Sequence, residues 1–329
     1  MTDSFRAFVV RNDDEGFRAG VEQLSSGDLP EGDITVRVSH SSFNYKDGLA
    51  CIPGSPVVTS YPMVPGIDLA GMVTESDDPR FPVGQEVVAI GRGLGTDRFG
   101  GFAEYVRLPA DILEPLPAGL TLKEAMALGT AGFTAGLAIQ RLEENGLRPD
   151  AGRVLVTGAT GGVGSTAVNM LAGLGYEVVA STGKAEEHDY LRELGASEVI
   201  DRDTVAAAAG PIDAELWAGA IDPVGGSTLA YLLSTTQYGG SVANCGMTGG
   251  LDVSASVLPF ILRGVNLLGI DSVMCPPAVR SALWLRLGSD LKPKYLTEGI
   301  AQEVGLDDVP RLAGEILSGA IRGRTIVSL

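Results

Sequence analysis

Residues Val154–Gly164 read VLVTGATGGVG, a short apolar run that enters a turn rich in glycine. The run VLV suits a buried parallel strand, and the apolar stretch 167–174 predicts a helix after the turn. The glycines of the turn are Gly158, Gly161, Gly162 and Gly164. Glycine lets the backbone turn tightly and approach a phosphate, which the N–H groups and dipole of the helix would then bind. Because a strand precedes this turn and a helix follows it, a dinucleotide site is favoured over an ordinary glycine-rich turn. Thr160 and Val163 lie within the turn and are expected to contact the cofactor together with Gly161, Gly162 and Gly164.

Composition limits the classes of protein that the chain can belong to. Its 329 residues are enough for two domains, and with 45% hydrophobic and 20% charged residues nothing suggests disorder. The formal net charge of −17 argues against a nucleic-acid or anionic-membrane surface, because both require basic patches. The start of the sequence, MTDSFRAFVV, has no basic region before a long apolar stretch, and no apolar run reaches about 18 residues. We therefore expect no signal peptide, no membrane contact and a cytoplasmic location.

Metal and disulfide chemistry find little support in the sequence. Cys51, Cys245 and Cys275 are far apart and show no CxxC spacing, and neither His40 nor His188 lies in a ligand-like cluster. A structural zinc or a disulfide framework is therefore not expected. Each thiol is predicted to be buried as a small apolar side chain.

The pattern changes along the chain. Up to about residue 120, Gly, Pro and Asp separate short apolar runs, which predicts a mostly β domain. The segment 122–144 is small and apolar on most faces and predicts a buried helix pair. Strands and helices then alternate, which is typical of a doubly wound parallel α/β sheet. The candidate strands are 153–157, 177–181, 197–201, 217–222, 240–245 and 265–271. Helices at 278–291 and 308–319 and a final strand in RGRTIVSL complete the prediction.

The end of the second of these strands indicates which dinucleotide is bound. An NAD site normally has an Asp or Glu here for the ribose 2′-hydroxyl. This chain has Ser181, Thr182, Gly183 and Lys184 instead. Hydroxyls, a backbone N–H and an ammonium suit a 2′-phosphate, and Arg202 could add a second charge or stack on the adenine. Lys184 and Arg202 could also be solvated surface cations, but in so acidic a chain their position favours NADP(H).

Short motifs extend over nearly the whole chain, and they occur in the same order as in a known enzyme family. They include SFNYKDGLA (42–50), YPMVPGIDLAG (61–71), GGFAEYVRLP (100–109), AMALGTAGFTA (125–135), STGK (181–184), WAGAIDPVGG (217–226) and RGRTIV (322–327). With them the chain resembles the zinc-free medium-chain dehydrogenases/reductases of the quinone oxidoreductase-like type, and it is similar to their bacterial acrylyl-CoA reductase branch. One departure is Lys184, where the family has an arginine, so the charge is kept but the bidentate fork is lost.

The resemblance implies a GroES-like, mostly β catalytic domain beside a Rossmann domain. The expected division is 1–123 for the first part of the catalytic domain, 124–272 for the NADP-binding domain, and 273–329 for a C-terminal return to the catalytic domain. It also implies a homodimer, and the apolar segment 257–274 could pair across a sheet edge.

The resemblance further implies chemistry without zinc. Where zinc-dependent relatives carry Cys-His and His-Glu pairs, this chain has Asn44-Tyr45 and Ile67-Asp68, which lack the soft ligands of a tetrahedral site. The lack of zinc ligands disfavours alcohol oxidation, because zinc would stabilise the alkoxide, and it favours reduction of a polarised double bond or a quinone. The expected activity is NADPH-dependent reduction of a short α,β-unsaturated thioester, acrylyl-CoA to propanoyl-CoA. A quinone or enal/enone reductase is the close alternative, and a non-catalytic NADPH-binding protein is the second.

The candidate catalytic residues follow from the same positions. Tyr45 is expected to face the nicotinamide and to position the substrate or stabilise the enolate, although a structural bond from its hydroxyl to the backbone is the alternative. Asn44 could donate a hydrogen bond or form a turn. Asp68 is either a member of a proton relay or paired with a cation such as Lys46, and Asp47 is interpreted as structural.

Three further cofactor contacts are expected from the fold and the resemblance together. Met247 and Ser272 should pass the nicotinamide side. Arg324 could reach the cofactor's phosphates, or it could form an ion pair within the catalytic domain.

Overall fold

The computed structural model of the chain describes residues 4–207 and 210–329. In these ranges the strands are β1 Phe5–Asp13, β2 Gly16–Leu24, β3 Ile34–Phe43, β4 Asp68–Ser76, β5 Glu86–Ile90, β6 Tyr105–Leu108, β7 Glu114–Pro115, β8 Val154–Val156, β9 Val178–Thr182, β10 Glu198–Asp201, β11 Trp217–Asp222, β12 Thr236–Asn244, β13 Asn266–Gly269, β14 Ala301–Gly305 and β15 Arg324–Ser328. The α-helices are α1 Tyr45–Ala50, α2 Leu122–Glu144, α3 Gly162–Gly173, α4 His188–Glu193, α5 Arg202–Ala206, α6 Gly226–Thr235, α7 Leu258–Arg263, α8 Pro277–Leu287 and α9 Val309–Leu317.

The chain divides into two compact units. The first unit holds the described residues up to Thr130 together with Val273–Gly288 and Ala301–Leu329, and the second unit holds Ala131–Ser272 and Ser289–Ile300. The division after residues 123 and 272 that the sequence suggested differs in detail from these units and stays a prediction.

The second unit is built on a six-stranded sheet with the order β10-β9-β8-β11-β12-β13. Every pairing in it is parallel. Numbered along the chain, this is the order 3-2-1-4-5-6 of a doubly wound sheet, in which ligands bind outside the carboxyl ends of the strands where the order reverses. That reversal falls at β8, and β8 leads directly into the glycine turn. The predicted Rossmann fold is confirmed.

The first unit is mostly β, as predicted. Its larger sheet has the order β14-β15-β3-β4-β5-β7, with β6 also paired to β3, and β1 and β2 form a separate hairpin. Two hydrophobic clusters fill it, one around Phe8 and Phe102 and the other around Val36 and Leu69. The rings of Phe43 and Phe102 stack with centroids 5.5 Å apart. This packing fixes the end of β3, the point at which the chain enters α1.

The helix pair predicted for 122–144 is confirmed: α2 consists of two helices that meet at a kink at Gly129. Gly129 has φ 50° and ψ −156°, a conformation outside the helical region. A Cβ atom at this position would lie 2.5 Å from both Asp68 Oδ2 and Ser42 Oγ. Glycine is therefore required here by its backbone angles and also by the close approach of buried polar side chains.

The helix after the glycine turn begins earlier than the sequence indicated. We expected it over 167–174, whereas α3 spans Gly162–Gly173. Two of the turn's glycines thus belong to the first turn of the helix. None of the helices in the described ranges is long and apolar enough to cross a bilayer.

Candidate active site

The glycine turn of the second unit is held in place by close backbone contacts. Gly158 has φ 53°, a left-handed conformation. A Cβ atom on Gly164 would lie 2.4 Å from the carbonyl oxygen of Gly158, so α3 can pack this closely on the turn only with glycine there. Gly161 precedes α3 in an extended conformation, and the first N–H groups of α3, from Gly162 to Gly164, have no partner within the helix. Their geometry suits a phosphate group.

The tip of β9 lies beside this turn. The N–H of Ala159 donates to the carbonyl oxygen of Ser181 (3.0 Å), and the hydroxyls of Thr160 and Thr182 are 3.4 Å apart. The hydroxyl of Thr182 also accepts a hydrogen bond from the N–H of Lys184 (3.1 Å). Ser181 Oγ is buried and has no hydrogen-bond partner within the described residues. A buried hydroxyl without a partner is the kind of group that a ligand satisfies.

Arg202 lies directly over Gly183. A Cβ atom on Gly183 would lie 2.5 Å from Arg202 Nε and 2.8 Å from its Cζ, so any larger residue would displace the guanidinium. The Arg202 side chain is 73% exposed, and its contact with Asp203 is a long 4.0 Å. Gly183 and Arg202 were both predicted to lie near the 2′-position of the ribose, and in the structure they contact each other.

Met247 and Ser272, which were also expected to contact the cofactor, are distant in sequence from the tip of β9. Met247 follows β12 and is exposed, which leaves its side chain accessible. Ser272 is nearly buried, and its hydroxyl accepts a hydrogen bond from the hydroxyl of Thr134 (2.8 Å). Val163 lies in the first turn of α3.

Asp68 is the centre of a buried polar network in the first unit. It is fully buried at the start of β4. Its carboxylate accepts hydrogen bonds from Ser42 Oγ (2.5 Å), Asn44 Nδ2 (2.8 Å), Thr130 N (2.8 Å) and Thr130 Oγ1 (2.5 Å). The guanidinium of Arg324 lies 3.7 Å away and neutralises its charge. Of the two roles left open for Asp68, the structure shows pairing with a cation, and that cation is Arg324 and not Lys46.

Arg324 uses its guanidinium within the first unit. It is 3% exposed and donates to Ser42 Oγ (2.7 Å), Asn44 Oδ1 (3.0 Å) and the carbonyl oxygen of Ala127 (3.2 Å). Burial lowers the pKa of this guanidinium, and the Asp68 carboxylate opposes that shift. The structure therefore shows the ion pairing that was the alternative to a phosphate contact, and we assign Arg324 no contact with a cofactor.

Asp47 connects α1 to the segment before β4. Its Oδ1 accepts hydrogen bonds from the N–H groups of Gly66 (3.1 Å) and Ile67 (2.9 Å), and its Oδ2 accepts one from the N–H of Asn44 (2.8 Å). Burial and the neighbouring Asp68 carboxylate raise the pKa of Asp47 to about 7. These contacts match its interpretation as a structural residue.

Asn44 and Tyr45 differ sharply in accessibility. Asn44 is buried, and its carboxamide already donates to Asp68 and accepts from Arg324. Tyr45 begins α1 and is 45% exposed. Within residues 4–207 and 210–329 its hydroxyl forms no hydrogen bond, so the alternative of a structural bond to the backbone is not observed. Of this pair, Tyr45 is thus the residue whose side chain is accessible.

The donor set around Asp68 does not fit a tetrahedral zinc ion. Hydroxyls, a carboxamide and a guanidinium surround the carboxylate, and the positive charge that zinc would bring is already supplied by Arg324. The described ranges contain no group of three or more His, Cys, Asp or Glu side chains arranged to hold a metal ion.

Two members of the network were missed at the sequence level. Ser42 and Thr130 lie far apart in the chain, and each is a common polar residue with no distinctive spacing. The signal that could have found Thr130 is the glycine before it, because a glycine inside an apolar helical segment marks a close approach or a kink.

Comparison with known proteins identifies the family. An alcohol dehydrogenase GroES-like domain model matches residues 30–118, and a zinc-binding dehydrogenase model matches residues 162–285. Acrylyl-CoA reductase AcuI of Ruegeria pomeroyi is 49% identical over 328 residues, 99% of each chain. The crystal structure of YhdH of Escherichia coli K-12 with bound NADPH superposes with a TM-score of 0.94 at 48% identity, covering 98% of this chain and 99% of that one.

The chain belongs to the quinone oxidoreductase-like medium-chain dehydrogenases/reductases. YhfP of Bacillus subtilis, a provisionally named quinone oxidoreductase, is 52% identical over 330 residues and the whole of both chains. Its crystal structure with NAD bound has a TM-score of 0.97. The resemblance found in the sequence is confirmed, and the chain is an oxidoreductase of this family.

The close approach at Gly164 leads to a test of the glycine turn. Gly164→Ala should lower the free energy of unfolding by about 1–3 kcal/mol, because the added methyl group overpacks the turn, and it should weaken dinucleotide binding. Gly173→Ala is the matched control, since the same helix has open space at that position. Urea unfolding and fluorescence titration with NADPH measure the two effects. If both variants behaved alike, the close approach would not be the reason for glycine at 164.

Proposed function

We propose that this chain is an NADPH-dependent, zinc-independent reductase of a short α,β-unsaturated thioester, of the acrylyl-CoA to propanoyl-CoA type. The observation that carries the proposal is the difference in hydrogen bonding between the residues around Asp68 and the neighbouring Tyr45. Asn44 forms hydrogen bonds with both Asp68 and Arg324, so these three side chains bind one another. The Tyr45 hydroxyl, by contrast, has no hydrogen-bond partner among the described residues. The 49% identity to an acrylyl-CoA reductase over nearly all of both chains supports the choice of substrate.

The proposed role of Tyr45 follows from where charge develops. NADPH, when bound, supplies the hydride that reaches the β-carbon of the substrate. Negative charge then develops on the thioester oxygen. The Tyr45 hydroxyl donates a hydrogen bond to that oxygen and stabilises the enolate; removal of one such donor costs about 10²–10³ in rate in well-studied cases. The proton that reaches the α-carbon comes from a donor that we do not assign.

The buried network has a positioning role in this scheme. Asp47 and Asp68 bind the backbone and side chain of Asn44, the residue directly before α1. The start of α1 is thereby fixed, and with it the backbone of Tyr45. Asn44 and Asp68 are therefore positioning residues, and Tyr45 is the proposed catalytic residue.

NADPH is proposed as the coenzyme because of the tip of β9. Ser181, Thr182 and Gly183 place no carboxylate there that would repel a 2′-phosphate, and the exposed guanidinium of Arg202 packs on Gly183. Lys184 supplies a second cation at the same tip. The proposed contacts are these residues together with Thr160 and the first turn of α3, whose N–H groups suit the diphosphate.

A quinone or enone reductase is the second candidate. The 52% identity to YhfP favours it, and a phenolic donor serves any polarised carbonyl equally well. The two candidates differ in whether the coenzyme A part of the substrate contributes to binding. The expected cytoplasmic location stays a prediction.

We also propose that the chain forms a homodimer through β13. This strand lies at the edge of the six-stranded sheet, and the large side chains of Leu267 in the strand and of Leu251, Val257 and Ile261 in the segment that precedes it in the chain are exposed. An open edge strand with exposed apolar neighbours favours pairing with another chain, and a second copy related by a two-fold axis would present the same edge.

A substrate panel tests the proposed activity. The wild-type enzyme should oxidise NADPH faster with acrylyl-CoA than with a free enone or a simple quinone, measured as kcat/KM from absorbance at the nicotinamide band. Tyr45→Phe should lower kcat with acrylyl-CoA about 10²-fold, because the donor to the enolate oxygen is lost. A preference for quinone would contradict the thioester assignment, and an unchanged kcat in Tyr45→Phe would remove Tyr45 from the chemistry.

Coenzyme choice can be tested at Arg202. Arg202→Ala should raise the Kd of NADPH about tenfold or more, since a charge-assisted hydrogen bond is worth about 1.5–3 kcal/mol, and should leave the Kd of NADH nearly unchanged. Arg153→Ala, which removes a cation from the β8 side of the sheet, is the control. Equal weakening of both coenzymes by Arg202→Ala would rule out a contact with the 2′-phosphate.

The dimer proposal predicts a change of mass in solution. Leu267→Lys combined with Ile261→Glu should convert a dimer into a monomer in analytical ultracentrifugation, because the charges would be buried at the interface. Val83→Lys, on an equally exposed apolar residue of the first unit, should leave the dimer intact. A monomeric wild type, or a dimer that survives the double variant, would place no interface at β13.

A further inference from the structure

Two partly buried cations of the first unit have no hydrogen-bond or ion-pair partner among the described residues. Lys46, in the first turn of α1, and Arg98, in the loop after β5, are both partly buried. Neither forms a side-chain hydrogen bond or ion pair with any residue in the described ranges, and Arg98 Nε is completely covered. By contrast, Arg92 of the same loop donates to the carbonyl oxygen of Asp111 (2.6 Å). In a chain of net charge −17, two half-buried cations left without a carboxylate need another explanation.

The loop that carries Arg98 leaves the sheet at the same end as Asp68. Asp68 is paired with Ile90 in the β4–β5 register, and the loop begins directly after Ile90. Asp68 is also the residue that binds Asn44, the neighbour of Tyr45. The sheet therefore directs this loop toward the end at which α1 begins.

Both cations are carried by segments that pack on Gly66. The carboxylate of Asp47, next to Lys46 in α1, accepts the N–H of Gly66 (3.1 Å). A Cβ atom on Gly95 would lie 2.9 Å from backbone atoms of Gly66, and the N–H of Gly95 donates to the carbonyl oxygen of Arg98 (2.8 Å). Lys46 and Arg98 thus lie on two neighbouring segments, one of which also carries Tyr45.

We propose that Lys46 and Arg98 bind the phosphate groups of a coenzyme A thioester and so select it over an uncharged enone or quinone. The inference rests on the proposed function. A short enoyl thioester of coenzyme A carries its negative charge only on these phosphates, and a strongly acidic protein needs local cations to bind it. The arginine supplies a planar fork that suits phosphate oxygens, and the lysine supplies a compact charge.

The test compares two thioesters that differ in phosphate. Acrylyl-CoA and S-acrylyl-pantetheine share the reacting group, but the second has no phosphate. Lys46→Gln and Arg98→Gln should each lower the ratio of kcat/KM for the first ester to kcat/KM for the second about tenfold, as expected for a lost charge-assisted hydrogen bond. Arg37→Gln is the charge-matched control, because Arg37 is exposed on β3, six residues or about 20 Å from its end at Phe43. This control should change the ratio less than about twofold, since exposed charges a Debye length or more apart are largely screened.

Three outcomes would overturn the inference. One is a parallel loss of kcat/KM with both esters, and another is an equal effect of Arg37→Gln. The third is a rise in the Kd of NADPH in the Lys46 and Arg98 variants as large as their loss with acrylyl-CoA, which would assign the cations to the phosphates of the coenzyme.

Failure of the proposed function gives a different result. In that case the wild type would reduce enones and neither ester. Inhibition of enone reduction by free coenzyme A then decides the inference: inhibition that Lys46→Gln and Arg98→Gln relieve supports the phosphate site, and its absence in the wild type overturns it.

Discussion

The buried pair of Asp68 and Arg324 is the interaction on which the first unit depends. Neither group is exposed by more than 3%, and a buried charge deprived of its partner typically costs about 3–5 kcal/mol. The surrounding residues follow from that constraint. Ser42, Asn44 and Thr130 supply the hydrogen bonds that the carboxylate needs, and Gly129 is glycine because those same atoms leave no room for a side chain.

That constraint also decides which residues remain for chemistry. A side chain that satisfies a buried charge is held in one position by its hydrogen bonds. Asn44, Asp68 and Arg324 are held in this way by one another, and we propose that they act by positioning the start of α1. Tyr45, one residue further along, is half exposed and free of such bonds in the described chain. A rigid support next to an accessible donor is the arrangement that electrostatic stabilisation of an enolate requires.

Much of the second unit could be predicted because its signals are local. The run at 154–156, the glycines after it and the alternation of strands and helices all act over a few residues, and the sheet order follows from the general rules of parallel α/β folds. The start of α3 was misplaced because Gly162 and Gly164 were interpreted as part of a turn. Glycine has low helix propensity, and here the close packing on Gly158 overrides it.

The site of the first unit was harder to predict because its contacts are distant in sequence. Arg324 and Asp68 are brought together only by the pairing of β15 with β3 and of β3 with β4. Nothing in the motif RGRTIV indicates the partner of Arg324, which is why phosphate binding and ion pairing both stayed open. For Asp68, Lys46 was the obvious cation only because it is near Asn44 in the chain.

The choice of coenzyme shows how far overall similarity can be used. YhfP, at 52% identity, was crystallised with NAD, and YhdH, at 48%, with NADPH. Identity averaged over the whole chain therefore does not discriminate between the two coenzymes, which differ by a single phosphate. Binding of that phosphate depends on a few atoms at one strand tip. A tip without a carboxylate, with a guanidinium held over Gly183 and an unsatisfied Ser181 hydroxyl beside it, favours the phosphorylated coenzyme for local reasons that no global alignment score measures.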